Sequence, residues 1–167
     1  NNVTKLKKSK KTAKKSKTDI IELILEDHKP LKRLIKVLKS EKSLSEKRAA
    51  FEDFAPLLAA HAKPEEQSLY VHMKDEDELR SEAFEGDTEH EIADRLMAEV
   101  SEETDDDVWE AKAKVLAELV EHHIEEEEEE MLPDVRKEIE LAEREEIGQE
   151  YLRLRSEQGA EEERLAS

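Results

Sequence analysis

The sequence predicts an all-α protein, an up-down-up-down four-helix bundle with an additional C-terminal helix. Three observations predict it. Of 167 residues, 44% are charged while only 3 are glycine and 4 are proline, a composition that suits long solvated helices. Apolar residues recur at steps of three and four over four successive stretches, the pattern of helices with one buried face. No alternating β-branched run argues for strands. No apolar stretch approaches the roughly 20 residues that span a bilayer, and cysteine is absent, which excludes disulfides. A cytoplasmic protein without a membrane partner is the expectation.

Charge divides the chain. Residues 1–18 hold eight lysines and no acid, so the remainder, −18 less the tail's +8, stands at −26. Such an acidic body repels nucleic acid and attracts cations. The tail lacks the apolar core of a secretory signal and reads as a basic, disordered, solubilising arm. The domain is expected over residues 19–157, with residues 158–167 fraying at the end. Nothing in the sequence sets association beyond a monomer or a weak dimer.

The first helix is expected from Thr18 or Asp19, with Asp19 and Glu22 spaced as a capping box. Its stripe is Ile21, Ile24, His28, Leu31, Ile35, Leu38. His28 alone would pass for a hydrogen-bonded core residue. After a polar loop, Ser43 and Glu46 cap a second helix with the stripe Phe51, Phe54, Leu58, His61, Glu65, Leu69, His72. Pro56 and Pro64 should bend it on either side of His61. His72 lies about 16 Å along the axis from His61, at 1.5 Å per residue, and reads as a surface or bundle-end group. Gly86-Asp87-Thr88 can interrupt the next helix, with Thr88 and Glu91 capping a new one whose stripe is His90, Ala93, Met97, Val100. The fourth helix should open at Thr104 and end near Leu132, where Pro133 breaks the register. Residues 134–157 read as a further, weakly amphipathic helix.

Two of these helices carry a His-x-x-x-Glu pair on the apolar face, His61 with Glu65 and His123 with Glu127. The first and third each offer one buried histidine, His28 and His90. The run Glu125 to Glu130 hides the second pair among solvated acids. The face of His123 includes Trp109, Ala113, Leu116 and Val120, whereas the face of His122 includes Lys112. Helical phase therefore selects His123 and Glu127 over His122 and Glu126. Burying two carboxylates among four imidazoles costs several kcal/mol unless a cation binds them, so the six residues point to a metal site.

Together these segments resemble the hemerythrin-like HHE cation-binding domain family: Glu26-Asp27-His28, His61-Ala62-Lys63-Pro64-Glu65-Glu66, Glu89-His90-Glu91, and His122-His123 through Glu127 to Leu132-Pro133. The likeness spans residues 19–157. It implies a four-helix bundle around an oxo- or hydroxo-bridged pair of non-haem iron ions. His28 and His61 would hold one iron, His90 and His123 the other, and Glu65 and Glu127 would bridge. It implies a protein that binds, senses or reduces a small oxidant, namely dioxygen, peroxide or nitric oxide, with an oxidative-stress role. The oxygen carriers of that family place two histidines one turn apart on the third helix. Here Gly86 and Asp94 flank His90, so no fifth histidine is available. Two octahedral ions need about twelve donor positions and the implied set fills about ten. The remaining two positions stay open or are taken by water or by a nearby carboxylate such as Asp94 or Glu66.

Other readings stay beside this one. The ferritin-like di-iron class uses Glu-x-x-His pairs, which differ from the nitrogen-rich set here. Imidazole-rich sites also suit zinc. The zinc-protease spacing H-E-x-x-H is absent, and so are a nucleophile triad and a phosphate-cradling glycine loop. The alternative to redox activity is a non-enzymatic iron-buffering or structural metal-binding bundle.

Overall fold

Asp19 starts the first helix, α1 (Ile20–Lys39): its carboxylate accepts the Ile21 amide at 3.0 Å, satisfying one of the free amides of the first turn. The computed structural model describes residues 15–167; the first fourteen residues of the basic tail, with six of its eight lysines, lie outside the described residues. Ser43 caps α2 (Leu44–Glu65) by accepting the Glu46 amide at 3.2 Å. Two long helices follow, α3 (Arg80–Glu102) and α4 (Asp106–Glu126), and then α5 (Leu141–Ala166). No strand occurs among the described residues, and none of their helices is long and apolar enough to cross a membrane.

α1 lies against α2 and α4, α3 against α4, and α5 against α1 and α2. The apolar core falls into two clusters. One holds Leu31, Ile35, Phe54, Leu58, Trp109 and Leu116. There Phe51 meets Trp109 edge-on, with ring centroids 5.9 Å apart. The other holds Ile21, Ile24, Leu69, Met73, Leu132 and Tyr151. Along every one of the first four helices the chemistry-bearing residues sit between the two clusters: His28 between Ile24 and Leu31, His61 and Glu65 between Leu58 and Leu69.

Several boundaries differ from the pattern read in the sequence. α3 runs unbroken through Gly86-Asp87-Thr88. Gly86 is a packing residue rather than a breaker: a Cβ there would stand 2.5 Å from the Tyr70 hydroxyl. The Thr88 hydroxyl donates back to the Phe84 carbonyl at 2.8 Å instead of capping a new helix. The fourth helix is capped by Asp105, one residue later than expected. Pro133 does not end it. A π-helical turn, Glu127–Met131, adds one residue to the helical register, and Leu132–Glu138 continue beyond it. Pro133 then falls in the first turn of the continued segment, where its missing amide costs little. α2 carries the same device, a π turn at Glu66–Tyr70 followed by Val71–Met73. The final helix begins at Leu141, and the segment for which the sequence predicts fraying continues as helix to Ala166.

Two features fasten α5. The Arg144 guanidinium is buried and donates to the Asp19 carboxylate at 3.1–3.3 Å and to the Ile139 carbonyl at 2.8 Å, so the cap of α1 and the start of α5 share one ion pair. Gly148 then allows backbone to meet backbone: a Cβ on it would lie 1.7 Å from the Thr18 carbonyl oxygen. Gly148→Ala should therefore cost about 2–3 kcal/mol in urea unfolding, the range for overpacking against fixed backbone. Gly159→Ala, with nothing near it, should instead raise stability by up to about 1 kcal/mol through helix propensity. Equal effects at the two positions would contradict the close approach.

Candidate metal centre

The six sequence-selected residues come together in the layer between the two apolar clusters. His28, Glu65 and Glu127 have no exposed surface, and His61, His90 and His123 are buried with them. Ligand atoms of His28, His61 and Glu127 lie within 4.8 Å of one another, and those of Glu65, His90 and His123 do the same. The structure leaves His122 and Glu126 at the surface, where they pair with each other at 3.0 Å. His72 is half-buried, near Glu143 and Glu150 on α5.

All four histidines share one orientation. Each turns Nε2 inward: His28 to Glu127 (3.5 Å), His61 to Glu65 (3.4 Å), His90 to Glu65 (3.3 Å) and His123 to Glu127 (3.0 Å). Each sets Nδ1 against an outer carboxylate supplied by a neighbouring helix. Asp27 of α1 faces His61 of α2 at 3.5 Å, and Glu66 after α2 faces His90 of α3 at 3.7 Å. Glu89 of α3 accepts from His123 of α4 at 3.1 Å, and Glu128 after α4 faces His28 of α1 at 3.6 Å. The ring closes: every helix gives one or two residues to the layer, and an acid next to one of them faces the histidine of the next helix. An acid at Nδ1 favours the proton there and leaves the Nε2 lone pair free, the arrangement that orients imidazole toward a cation.

Most ligand atoms of the layer make no hydrogen bond, although His90 Nε2 and His123 Nε2 meet each other at 3.0 Å. Both oxygens of Glu65 and Glu127, His61 Nε2, both nitrogens of His28 and His90 Nδ1 are buried without a hydrogen bond. The other such atoms among the described residues, the Tyr70 hydroxyl and Glu66 Oε2, border the same layer. Buried polar groups are nearly always satisfied in folded proteins, so a cluster of exceptions marks a missing partner, and donors of this kind suit a divalent metal.

Charge in the metal-free layer is balanced by protons. Burial disfavours charge on His61, but Glu65, Asp27 and Glu127 outweigh it and raise its pKa to about 10. His123 is likewise held well above its ordinary value by Glu127 and Glu89 against the effect of burial. Glu127, which burial alone would raise, is held well below the usual carboxylate range by His123 and His28.

Three residues near the site were not singled out in the sequence. Tyr151 of α5 accepts from His61 Nδ1 at 3.0 Å and donates to Asp27, while Arg155 donates to the same carboxylate at 2.7 and 2.9 Å. Burial alone would raise Asp27, yet His61, Tyr151 and Arg155 keep it below its ordinary value. Tyr70 stacks on His90 with centroids 5.4 Å apart and fills the room beside Gly86. Burial, then Glu127 and Glu65, push its phenol well up. The carboxylates expected to serve the open positions stand elsewhere: Asp94 is exposed and Glu66 lies on the outer side of His90. Only the acid next to a residue of the layer, as in Asp27-His28, Glu65-Glu66, Glu89-His90 and Glu127-Glu128, gave a local signal.

A family model, the hemerythrin HHE cation-binding domain, matches residues 19–135. The chain belongs to this family. No curated protein and no solved structure matches it. The match takes in α1 to α4 and all six residues of the layer, and it stops before α5, which supplies Tyr151 and Arg155.

The pH response of the metal-free hemerythrin-like domain follows from these shifts. His61 rises from 6.5 to about 10 on folding, so its stabilisation is complete below pH 6.5 and is lost as pH climbs toward 10. Glu127 falls below 4.5, so its stabilisation is present above that value and is lost as pH drops through its folded pKa. Thermal melts of chelator-treated protein should peak between pH 4.5 and 6.5 and fall toward pH 10. A melting temperature that rises over pH 7–10 would contradict protons as the balancing charge.

Proposed function

We propose that the layer binds two iron ions in a bundle whose four long helices alternate up and down, and that the loaded site binds or reduces a small oxidant. His28 and His61 hold one ion, His90 and His123 the other, and Glu65 and Glu127 bridge. The observation that carries this reading is the set of buried, unpartnered nitrogens and oxygens, all at one level of the core. Iron rests on the likeness to hemerythrin, because the same imidazole-rich donors also suit zinc. The short connections, such as the one from Lys39 to Leu44, support the alternating topology.

When bound, the iron pair supplies the redox chemistry for dioxygen, peroxide or nitric oxide. The chain's own residues do the rest. The apolar clusters on either side keep bulk water from the layer. A cavity of about 40 Å³ reaches His123 and Glu127, which admits only a molecule of a few atoms. Glu89 holds the His123 proton at Nδ1 and Tyr151 holds that of His61, while Asp27, Glu66 and Glu128 place negative charge on the Nδ1 side of His61, His90 and His28. Tyr151 holds a proton between its hydroxyl and Asp27. Tyr70, with its hydroxyl buried and unpartnered, offers a donor beside Gly86, one turn before His90.

A second reading is favoured by the position of the layer, which divides the core: metal there would serve stability or iron storage alone. It gains if the loaded protein consumes peroxide or nitric oxide no faster than free iron. The main test is metal content with absorption. Protein purified in air should carry about two irons per chain and absorb in the near ultraviolet. Glu127→Ala should lose metal and Glu126→Ala should keep it, with the same ranking for His123→Ala over His122→Ala. Colourless protein that stays iron-free after anaerobic iron(II) loading would sink the proposal.

A further inference from the structure

The buried layer reaches the surface on one side, between α3 and the end of α4. The cavity there has Glu127 and His123 at its inner end and Glu82, Glu85, Glu126 and Glu130 along its walls. Glu127 is fully buried with neither oxygen in a hydrogen bond, so the acidic walls lead to a carboxylate whose neighbouring charges are the imidazoles of the layer. Lys74 and Lys137, which flank this region in sequence, are committed to Asp87 and Glu138. Negative charge is thus concentrated at the cavity mouth.

At that mouth stands a second group of potential ligands. One atom each from Glu89, His122 and Glu126 lie within 4.8 Å of one another, with His122 and Glu126 exposed to solvent. Glu89 belongs to both places. One of its oxygens accepts from Nδ1 of buried His123 at 3.1 Å, and the residue also stands with the exposed pair. A hydrated cation cannot cross a dry core, so it must exchange water for protein oxygens in steps. This trio provides the first step, and Glu127 is the next carboxylate inward.

We propose that Glu89, His122 and Glu126 form an outer divalent-cation site through which the buried pair is loaded. The inference rests on the reading of the buried layer as a metal site and adds its route of filling. Mixed imidazole and carboxylate donors suit iron(II), cobalt(II) or zinc. Two of the three residues are exposed, so the ion is held weakly enough to move on. The excess acid around the mouth concentrates cations there.

Cobalt(II), whose visible bands report its coordination, tests this by stopped flow on the full metal-free chain. The variant is H122A/E126Q, which changes only exposed side chains. The control is E125Q, which removes the same single charge beside Lys32 and Lys36 on another surface. The variant should still take up two cobalt ions but load roughly tenfold more slowly, the low end of what electrostatic focusing supplies. E125Q should load at the wild-type rate. Two ions taken up at the wild-type rate by H122A/E126Q, or an equal slowing by E125Q, would overturn the outer site and leave the buried one standing. No cobalt uptake by the wild-type chain would overturn the buried metal site and this inference with it.

Discussion

Two carboxylates, Glu65 and Glu127, are buried without hydrogen bonds in the middle of a helical core, and the rest of the structure is arranged around that fact. Moving even one carboxylate out of water costs several kcal/mol unless opposite charge accompanies it. Protonated His61 and His123 supply that charge in the metal-free layer, and a metal pair would supply it in their place. Protons and cations therefore compete for the same atoms, and affinity for metal is tied to pH. The outer ring of acids serves both states, because Asp27, Glu66, Glu89 and Glu128 face the histidines on the Nδ1 side whichever partner occupies Nε2.

The π turns belong to this constraint. His61 and Glu65 lie on the last turn of regular α2, and His123 and Glu127 straddle the same boundary in α4. Each π turn starts at or just after the carboxylate. It brings a following acid, Glu66 or Glu128, round toward a histidine of a different helix. Such turns are marginal in isolation and recur at functional sites, and here both occur at one level of the core.

Much of this was legible in the sequence. The stripes Ile21 to Leu38 and Phe51 to Leu69 follow simple helical periodicity, which marks the buried faces directly. The choice of His123 over its neighbour came from Lys112, because a lysine one face over marks solvent. The rest was hidden for physical reasons. Gly86 and Pro133 have strong local meanings, yet tertiary context decided both: the Tyr70 ring needs the space at Gly86, and a π turn moves Pro133 into a harmless position. Tyr151 and Arg155 meet Asp27 across more than 120 residues of chain, a separation that no local pattern reports. α5 read as a weak amphipathic appendage because its contribution lies in one phenol, one guanidinium and a glycine rather than in an apolar stripe.

The central claim is that metal replaces protons in the layer. It is tested most directly by anaerobic iron(II) titration of metal-free protein in weak buffer near pH 7, with released protons counted. His61 and His123 are the imidazoles held above their ordinary pKa, so uptake should saturate at two irons per chain and release roughly two protons, since ligating imidazoles must be neutral. Saturable uptake without proton release, or no saturable uptake, would contradict the account.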